Sequence, residues 1–356
     1  MEKLTISEIA EKLTVSVDTI RRWEKKGLIK SSRDSRNYRV FSLTEAEKIS
    51  RKLSGKSTEN NYKILSRKPS KLKSIDLFAG GGGTSLGLEN AGFRHVMLNE
   101  FDKNATATLR ENRPSWNVDG RDIHEVDFTK YAGKVDLIEG GFPCQAFSYA
   151  GKTRGFEDAR GTLFFEFARA IKEVQPKFAM GENVRGLLTH DNGRTLKTMI
   201  KTLQDLGYKV AYHLMRAQYQ DVPQKRERLI ILAVRKDVDA PILYPIEKDY
   251  TISLREALKG VPKSEGQTYS EYKKSVMERV PEGGYWRDLP DKIQREYMKA
   301  SYFHGGGKTG MARRLSWDEP SLTLTTQPAQ KQTERCHPSE TRPFTVREYA
   351  TLYPKS

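Results

Sequence analysis

Cysteine is scarce in this sequence. Only two cysteines occur in 356 residues, Cys144 and Cys336. That excludes a disulfide scaffold and points to a reducing, cytoplasmic compartment. No Cys/His cluster has metal-ligand spacing, so no metal site is expected. Long apolar runs are missing as well. None approaches the length that spans a bilayer, and the N-terminal MEKLTISEIAEKL lacks the apolar stretch of a signal peptide. Acidic charge is in deficit: 46 Asp and Glu face 62 Lys and Arg, a net charge of +16. Such a surplus favours an acidic partner, nucleic acid ahead of an anionic membrane. The chain is long enough for about two or three domains with real cores.

The surplus is unevenly spread. Residues 1–73 hold 19 basic and 9 acidic residues, so a fifth of the chain carries most of it. Thr5–Leu13 repeats its apolar residues on one helical face, with Thr5 or Ser7 as cap and Glu8 in the first turn. Val17–Lys25 reads as a second helix with Val17, Ile20 and Trp23 inward and Arg21, Arg22 and Lys25 outward. A basic, hairpin-like SSRDSRNYRVFS follows. Through RRWEKKGLI and NYRVFS this segment resembles the MerR-type winged helix-turn-helix. The resemblance implies DNA contacts at Arg21, Arg22, Arg36 and Arg39. A small protein-docking domain is the blander alternative. The polar, basic stretch from Arg51 reads as a linker.

From Leu72 apolar strands alternate with helix-like segments: SIDLFAG, HVMLNE, VDLIEGG, KFAMGEN, KVAYHLM and RLIILAV against TSLGLENAG, KNATATLREN, LFFEFARAIKEV and GRTLKTMIKTLQDLG. This order predicts an α/β, doubly wound (Rossmann-like) sheet that binds ligands at its C-terminal strand ends. The first strand runs into Gly80–Gly83, where glycine permits a tight turn and close approach to a ligand. Ser85 occupies the third glycine position of the dinucleotide fingerprint, so that motif fails. Glu100, about 20 residues on, is placed for ribose hydroxyls, and Asp122 for a base edge. Together they point to a nucleoside cofactor without a pyrophosphate clamp, and S-adenosylmethionine fits better than NAD. Cys144 follows Gly141-Phe142-Pro143 at the end of the fourth strand. A lone cysteine is usually a buried structural thiol. The strand end, the Pro143 turn and the following glycine-rich segment favour a reactive one instead. Glu182 ends the adjacent strand, and Gln224–Arg228 brings cations to the same edge.

The blocks DLFAGGGG, NEFD, RDI, GGFPCQAFS, GFEDARGTLFFEFAR, ENV, QKRER and RRLSWDEPSLTLTT run in one order from about Leu72 to Thr351. In this the chain resembles bacterial DNA (cytosine-5)-methyltransferases of restriction–modification systems. The resemblance implies methyl transfer from S-adenosylmethionine to carbon 5 of a flipped-out cytosine in a duplex site. Cys144 would be the nucleophile and Glu182 the partner of ring nitrogen 3, with Arg228 orienting Glu182 and contacting the cytosine carbonyl, and Arg226 supporting the intermediate or a neighbouring phosphate. Phe78, Gly80, Gly82, Glu100, Phe101, Asp122, Ile123, Pro143 and Leu163 would form the cofactor pocket, Phe78 and Phe101 enclosing the adenine. For Phe78, Ile123 and Leu163 ordinary core packing is an equal reading. Ser148, Lys152 and Arg160 on a catalytic lid, with Gln224 and Arg313, would contact DNA. Lys308, Thr326, Gln327 and Gln330 are further candidates for base edges, and Cys336 a bystander thiol.

The implied organisation is a helix-turn-helix at 1–50, a linker at 51–71, a catalytic domain at 72–236, a target-recognition domain at 237–343 and the start of a closing segment at 344–356. The family's usual final block does not follow YPKS. A shortened chain, a second polypeptide that supplies the block, or an altered and weakened enzyme would each account for this. The leading expectation is an enzyme that protects host DNA from a cognate restriction endonuclease while its N-terminal domain regulates transcription. The rival is a DNA-binding regulator without activity of its own.

Overall fold

The structure is a computed structural model that describes residues 3–12, 15–34, 37–42, 46, 70–143, 163–305, 308–325 and 329–353. It divides into two compact units, Met1–Leu65 and Ser66–Ser356.

The small unit begins with a strand that sequence periodicity did not predict, β1 (Lys3–Thr5), which runs directly into α1 (Ile6–Lys12). Thr5 serves both elements. It is paired with Val40 in the sheet, and its backbone N–H donates to Glu8 Oε2 at 2.8 Å as the helix begins. The helix α2 (Val17–Lys25) is capped by Ser16, which accepts from the Thr19 N–H at 3.1 Å. A hairpin of β2 (Ser31–Arg33) and β3 (Arg39–Ser42) follows, and the sheet order is β1-β3-β2, all antiparallel. Ile9, Ile20, Trp23, Ile29 and Phe41 bury together as its core.

In the large unit, seven strands are ordered β6-β5-β4-β7-β8-β11-β9. They are β4 (Lys73–Leu77), β5 (Arg94–Asn99), β6 (Val118–Asp119), β7 (Leu137–Gly140), β8 (Phe178–Val184), β9 (Tyr208–Arg216) and β11 (Glu227–Arg235). The helices α3 (Gly83–Asn90), α4 (Lys103–Asn112), α5 (Leu163–Val174) and α6 (Arg194–Asp205) connect them. The doubly wound expectation holds, with one feature it did not contain: β11 is antiparallel to both β8 and β9. Its first residues therefore lie at the C-terminal edge of the parallel strands, and Arg228 pairs with Val184. The sheet order reverses between β4 and β7, the place where such sheets bind ligands.

The core is tightest where β7 ends. Phe142, Phe164 and Phe167 pack ring on ring, with Phe142 and Phe164 edge-on at 5.3 Å. Gly140 makes room for them, since a Cβ there would stand 2.8 Å from Phe167 Cδ2.

Beyond β11 the βα rhythm ends, as the sequence indicates. Short helices α7 (Leu254–Ala257), α8 (Glu271–Met277), α9 (Asp291–Met298) and α10 (Val346–Thr351) are joined by irregular chain. Buried Arg314 organises much of it, donating to the carbonyls of Met277 at 2.7 Å, Val280 at 2.8 Å and His337 at 3.0 Å. A single guanidinium thus satisfies main-chain acceptors that no ladder reaches. The parallel pair β10 (Gln224–Lys225) and β12 (Ser321–Leu322) ties this region to the start of β11.

Gly140→Ala is expected to destabilise the large unit by about 1–3 kcal/mol, because the added methyl overpacks the phenylalanine cluster. Chemical denaturation of the full chain measures this.

Candidate active site

A cavity of about 380 Å³ opens at the C-terminal ends of β4, β5 and β7. Phe78, Glu100, Phe101, Asp122, Ile123, Pro143 and Leu163 line it, together with Asn99 and Asp102. Seven of the nine residues expected at a cofactor pocket thus line one cavity. Asn99 and Asp102 flank Glu100, and sequence reasoning passed over them. Both are structural as well: Asn99 Nδ2 donates to the Arg121 carbonyl at 2.9 Å, and Asp102 caps α4. Strand-end asparagine and helix-cap aspartate were the signals available.

Each acid is held in place. Glu100 Oε2 accepts from the Gly80 N–H and Oε1 from the Asp102 N–H, both at 2.7 Å. Each oxygen keeps a further lone pair, the arrangement a vicinal diol needs. Asp122 accepts from the His124 N–H at 3.1 Å and lies 2.6 Å from His124 Nδ1. These bonds, the backbone one foremost, hold its carboxyl below the usual range, so it stays an acceptor.

The glycines act at one remove. Gly80 orients Glu100 through its N–H, and Gly82, at φ 86°, caps α3 where a Cβ would come 2.7 Å from Leu109 Cδ2. Phe78 has φ 61°, a left-handed conformation that a bulky residue adopts only under constraint. It turns the aromatic ring into the cavity over Gly140. Arg169 on α5 braces the opposite wall, donating to the carbonyls of Ile123 at 2.8 Å and Val126 at 3.0 Å. Glu166 and Glu173 hold its guanidinium at 2.6 and 3.1 Å.

One strand over, Arg228 Nε lies 2.6 Å from Glu182 Oε1. The reversed β11 makes this pair possible. Arg226 is half-buried, and burial followed by the charge of Arg228 pushes its guanidinium below its usual pKa. Asn183, between the acid and the strand end, donates from Nδ2 to the Phe142 carbonyl at 2.9 Å. That bond fixes the backbone entering Pro143 relative to Glu182. Cys144, Ser148, Lys152 and Arg160 lie outside the described residues, as do Arg36, Thr326 and Gln327.

Two expected DNA contacts, Gln224 and Lys308, are otherwise engaged. Gln224 is 1% exposed. It donates to the Leu352 carbonyl at 3.2 Å and accepts from the Leu324 N–H at 3.1 Å, so it staples the chain together. Lys308 Nζ is taken up by the carbonyls of Ser301 and His304. Arg313 is half-buried and stacks over Tyr285 at 5.6 Å. Gln330 remains exposed. In the small unit Arg21 and Arg39 are exposed but paired, with Asp18 at 2.9 Å and Glu24 at 3.1 Å. Exposed surface pairs of this kind contribute little to stability. Arg22 is exposed on the same helix. Cys336 is fully buried, and burial pushes its thiol up, which makes it inert. Among the described residues no cluster could hold a metal, and no helix is long and apolar enough to cross a membrane.

The sheet and pocket are those of an S-adenosylmethionine-dependent methyltransferase. Two solved structures share the fold: S. pombe Dnmt2 methyltransferase, with a TM-score of 0.54, 16% identity and 80% of this chain against 87% of its own, and a candidate prophage-encoded DNA modification methyltransferase of E. coli, at 0.55, 24%, 79% and 88%.

Residues 72–354 match the model of the C-5 cytosine-specific DNA methylases, and the chain belongs to that family. Residues 5–41 match the MerR family of regulatory proteins. Among curated relatives, Type II methyltransferase M.Eco47II of Escherichia coli is 53% identical over 99% of this chain and 87% of its own. M.PspPI of Psychrobacter sp. (strain TA137) is 52% identical over 97% and 85%. These alignments take in nearly the whole chain at once and lend no support to a second polypeptide.

The protein is therefore a DNA cytosine-5 methyltransferase with S-adenosylmethionine as its methyl donor. The cavity suits that molecule: aromatic and aliphatic walls for a base, and fixed carboxylates for hydroxyl and amine groups. Arg169→Ala should raise the KM for S-adenosylmethionine roughly tenfold with a smaller change in kcat, because the brace lies behind the pocket wall. Steady-state kinetics on a DNA substrate checks it.

Proposed function

We propose that this chain is the modification enzyme of a type II restriction–modification system, methylating one cytosine in a specific duplex site and so shielding host DNA from a cognate endonuclease. The observation that carries the chemistry is the Glu182–Arg228 pair at the sheet edge, with Glu182 beside Gly141. The names of the 53% and 52% identical relatives support the biological setting.

In this reading Cys144 is the nucleophile and attacks carbon 6 of the extruded base. A protonated Glu182 donates its proton to ring nitrogen 3, which draws electrons from carbon 6 and eases the attack. Arg228 holds Glu182 in register and reaches the base carbonyl, while Arg226 supports the negative charge that develops. Addition at carbon 6 makes carbon 5 nucleophilic. Bound S-adenosylmethionine supplies the electrophilic methyl group. Phe78 and Phe101 would enclose its adenine, Glu100 would take the ribose hydroxyls, and Asp122 would accept from the base amine. Loss of the carbon 5 proton and β-elimination of the Cys144 sulfur then free the enzyme.

The domain plan follows the same lines. Residues 1–50 form a DNA-reading head, 72–236 carry catalysis, and 237–343 choose the target. Arg22, with Arg21 and Arg39 released from their surface partners, would contact phosphate or bases at a promoter of the enzyme's own operon.

Labelled S-adenosylmethionine with genomic DNA, followed by bisulfite sequencing, tests activity, base and site together. Cys144→Ser is expected to abolish methyl transfer and retain DNA binding; activity in that variant would refute the mechanism. Deletion of residues 1–70 is expected to spare methylation and weaken binding to promoter DNA. Lost methylation would assign that unit to catalysis instead.

A further inference from the structure

Two carboxyl groups lie under the pocket, and the mechanism uses neither. Asp76 on β4 and Glu139 on β7 are each 1% exposed and stand opposite each other in the sheet register. Asp76 Oδ1 and Glu139 Oε1 have no hydrogen-bond donor, although both atoms are buried. Two buried acceptors facing across a strand pair cannot both be satisfied unless a proton lies between them.

Among the described residues no countercharge is in contact with them. Ser85 on α3 donates its hydroxyl to Asp76 Oδ2. His95 on β5 is taken up at both nitrogens, by the Ser85 carbonyl at 2.8 Å and the Ser74 hydroxyl at 2.9 Å. The remaining charged neighbours are Glu100, beyond the end of β5, and Glu182 on β8. Glu182 lies on the same sheet face as Glu139, two residues along from its register partner Met180. Among the described residues the neighbourhood is thus acidic, with His95 the one group there that could offset it.

We propose that Asp76 and Glu139 share a single proton, and that this bridge positions the cofactor loop against the strand that leads into Pro143. The bridge links two lines of chain. On one side Asp76 holds Ser85, the α3 residue just beyond Gly80–Gly83. On the other, Glu139 immediately precedes Gly140 and Gly141, on which Phe78 and Glu182 lean. Ser85 has thereby a reason to replace the third glycine of the dinucleotide motif. Burial pushes both carboxyls up, Glu139 the further because the Asp76 charge adds to it. A neutral Glu139 also spares Glu182 a second anion at its back, leaving Arg228 as its partner. The proposal rests on the pocket being the cofactor site, but the proton itself is detectable without any activity.

The sign of the pH dependence follows. A pair that binds its proton more tightly folded than unfolded stabilises the fold at low pH and loses that contribution as pH rises through the folded value. In Glu139→Gln the amide donates to Asp76 permanently, keeping the bridge and removing its titration. Infrared spectra of the full chain at neutral pH should show a deuterium-sensitive protonated-carboxyl band that fades at alkaline pH and is missing from Glu139→Gln. Calorimetric titration with S-adenosylmethionine should show affinity falling at alkaline pH in the unmodified protein and staying level in Glu139→Gln. Glu139→Ala, with no donor, should bind roughly tenfold more weakly across the whole range. If the unmodified protein has no such band, or Glu139→Gln keeps both the band and the alkaline loss, the shared proton is refuted. If the band behaves as stated but cofactor affinity is unchanged in Glu139→Ala, the positioning role is refuted.

Discussion

Because β11 runs against its neighbours, its opening residues rather than its closing ones meet the pocket edge of the sheet. Arg228 thereby reaches across to Glu182, the last acid of a strand that runs the other way. A parallel β11 would put Arg228 at the opposite end of the sheet, about 25 Å away at the usual strand rise. The loop before β11 is fixed for the same reason. Gln224 and Lys225 form a short strand with Ser321 and Leu322, and Gln224 holds Leu352. Chain far apart in sequence converges on the arginine that orients the acid.

The site is also supported from beneath by polar groups rather than by apolar packing alone. Asn183 ties the Phe142 carbonyl to β8, Arg169 ties the Ile123 segment to α5, and Asp76 ties Ser85 to β4. Each bond spans two elements, and each lies next to a residue that lines the cavity or the Glu182 edge. Buried hydrogen bonds of this kind specify geometry more sharply than interchangeable hydrophobic contacts do. The ring cluster of Phe142, Phe164 and Phe167 then fills the space between them.

Much of this was legible in the sequence, for physical reasons. Strand ends in a doubly wound sheet face one edge, so Glu100, Asp122 and Glu182 could be placed from the βα rhythm alone. The shared blocks added Phe78, Phe101 and Leu163, which composition cannot separate from core. Strand direction was not legible, because β11 reads as the same apolar run whichever way it points. Nor was β1, whose three residues are too few to show a period. Gln224 and Lys308 look like DNA contacts by residue type, but their fate depends on Leu352, Ser301 and His304, which only tertiary structure brings near. Asn183 and Asp76 were hidden for the same reason: their partners, Phe142 and Ser85, come from other parts of the fold.

Phe78 carries a different kind of consequence. Its left-handed backbone would suit glycine, and a glycine there would relax the turn. The same exchange would remove an aromatic wall of the cavity. Directed evolution for thermal tolerance and directed evolution for turnover should therefore pull this position in opposite directions, and libraries selected on stability alone would erode the enzyme from the floor of its own pocket.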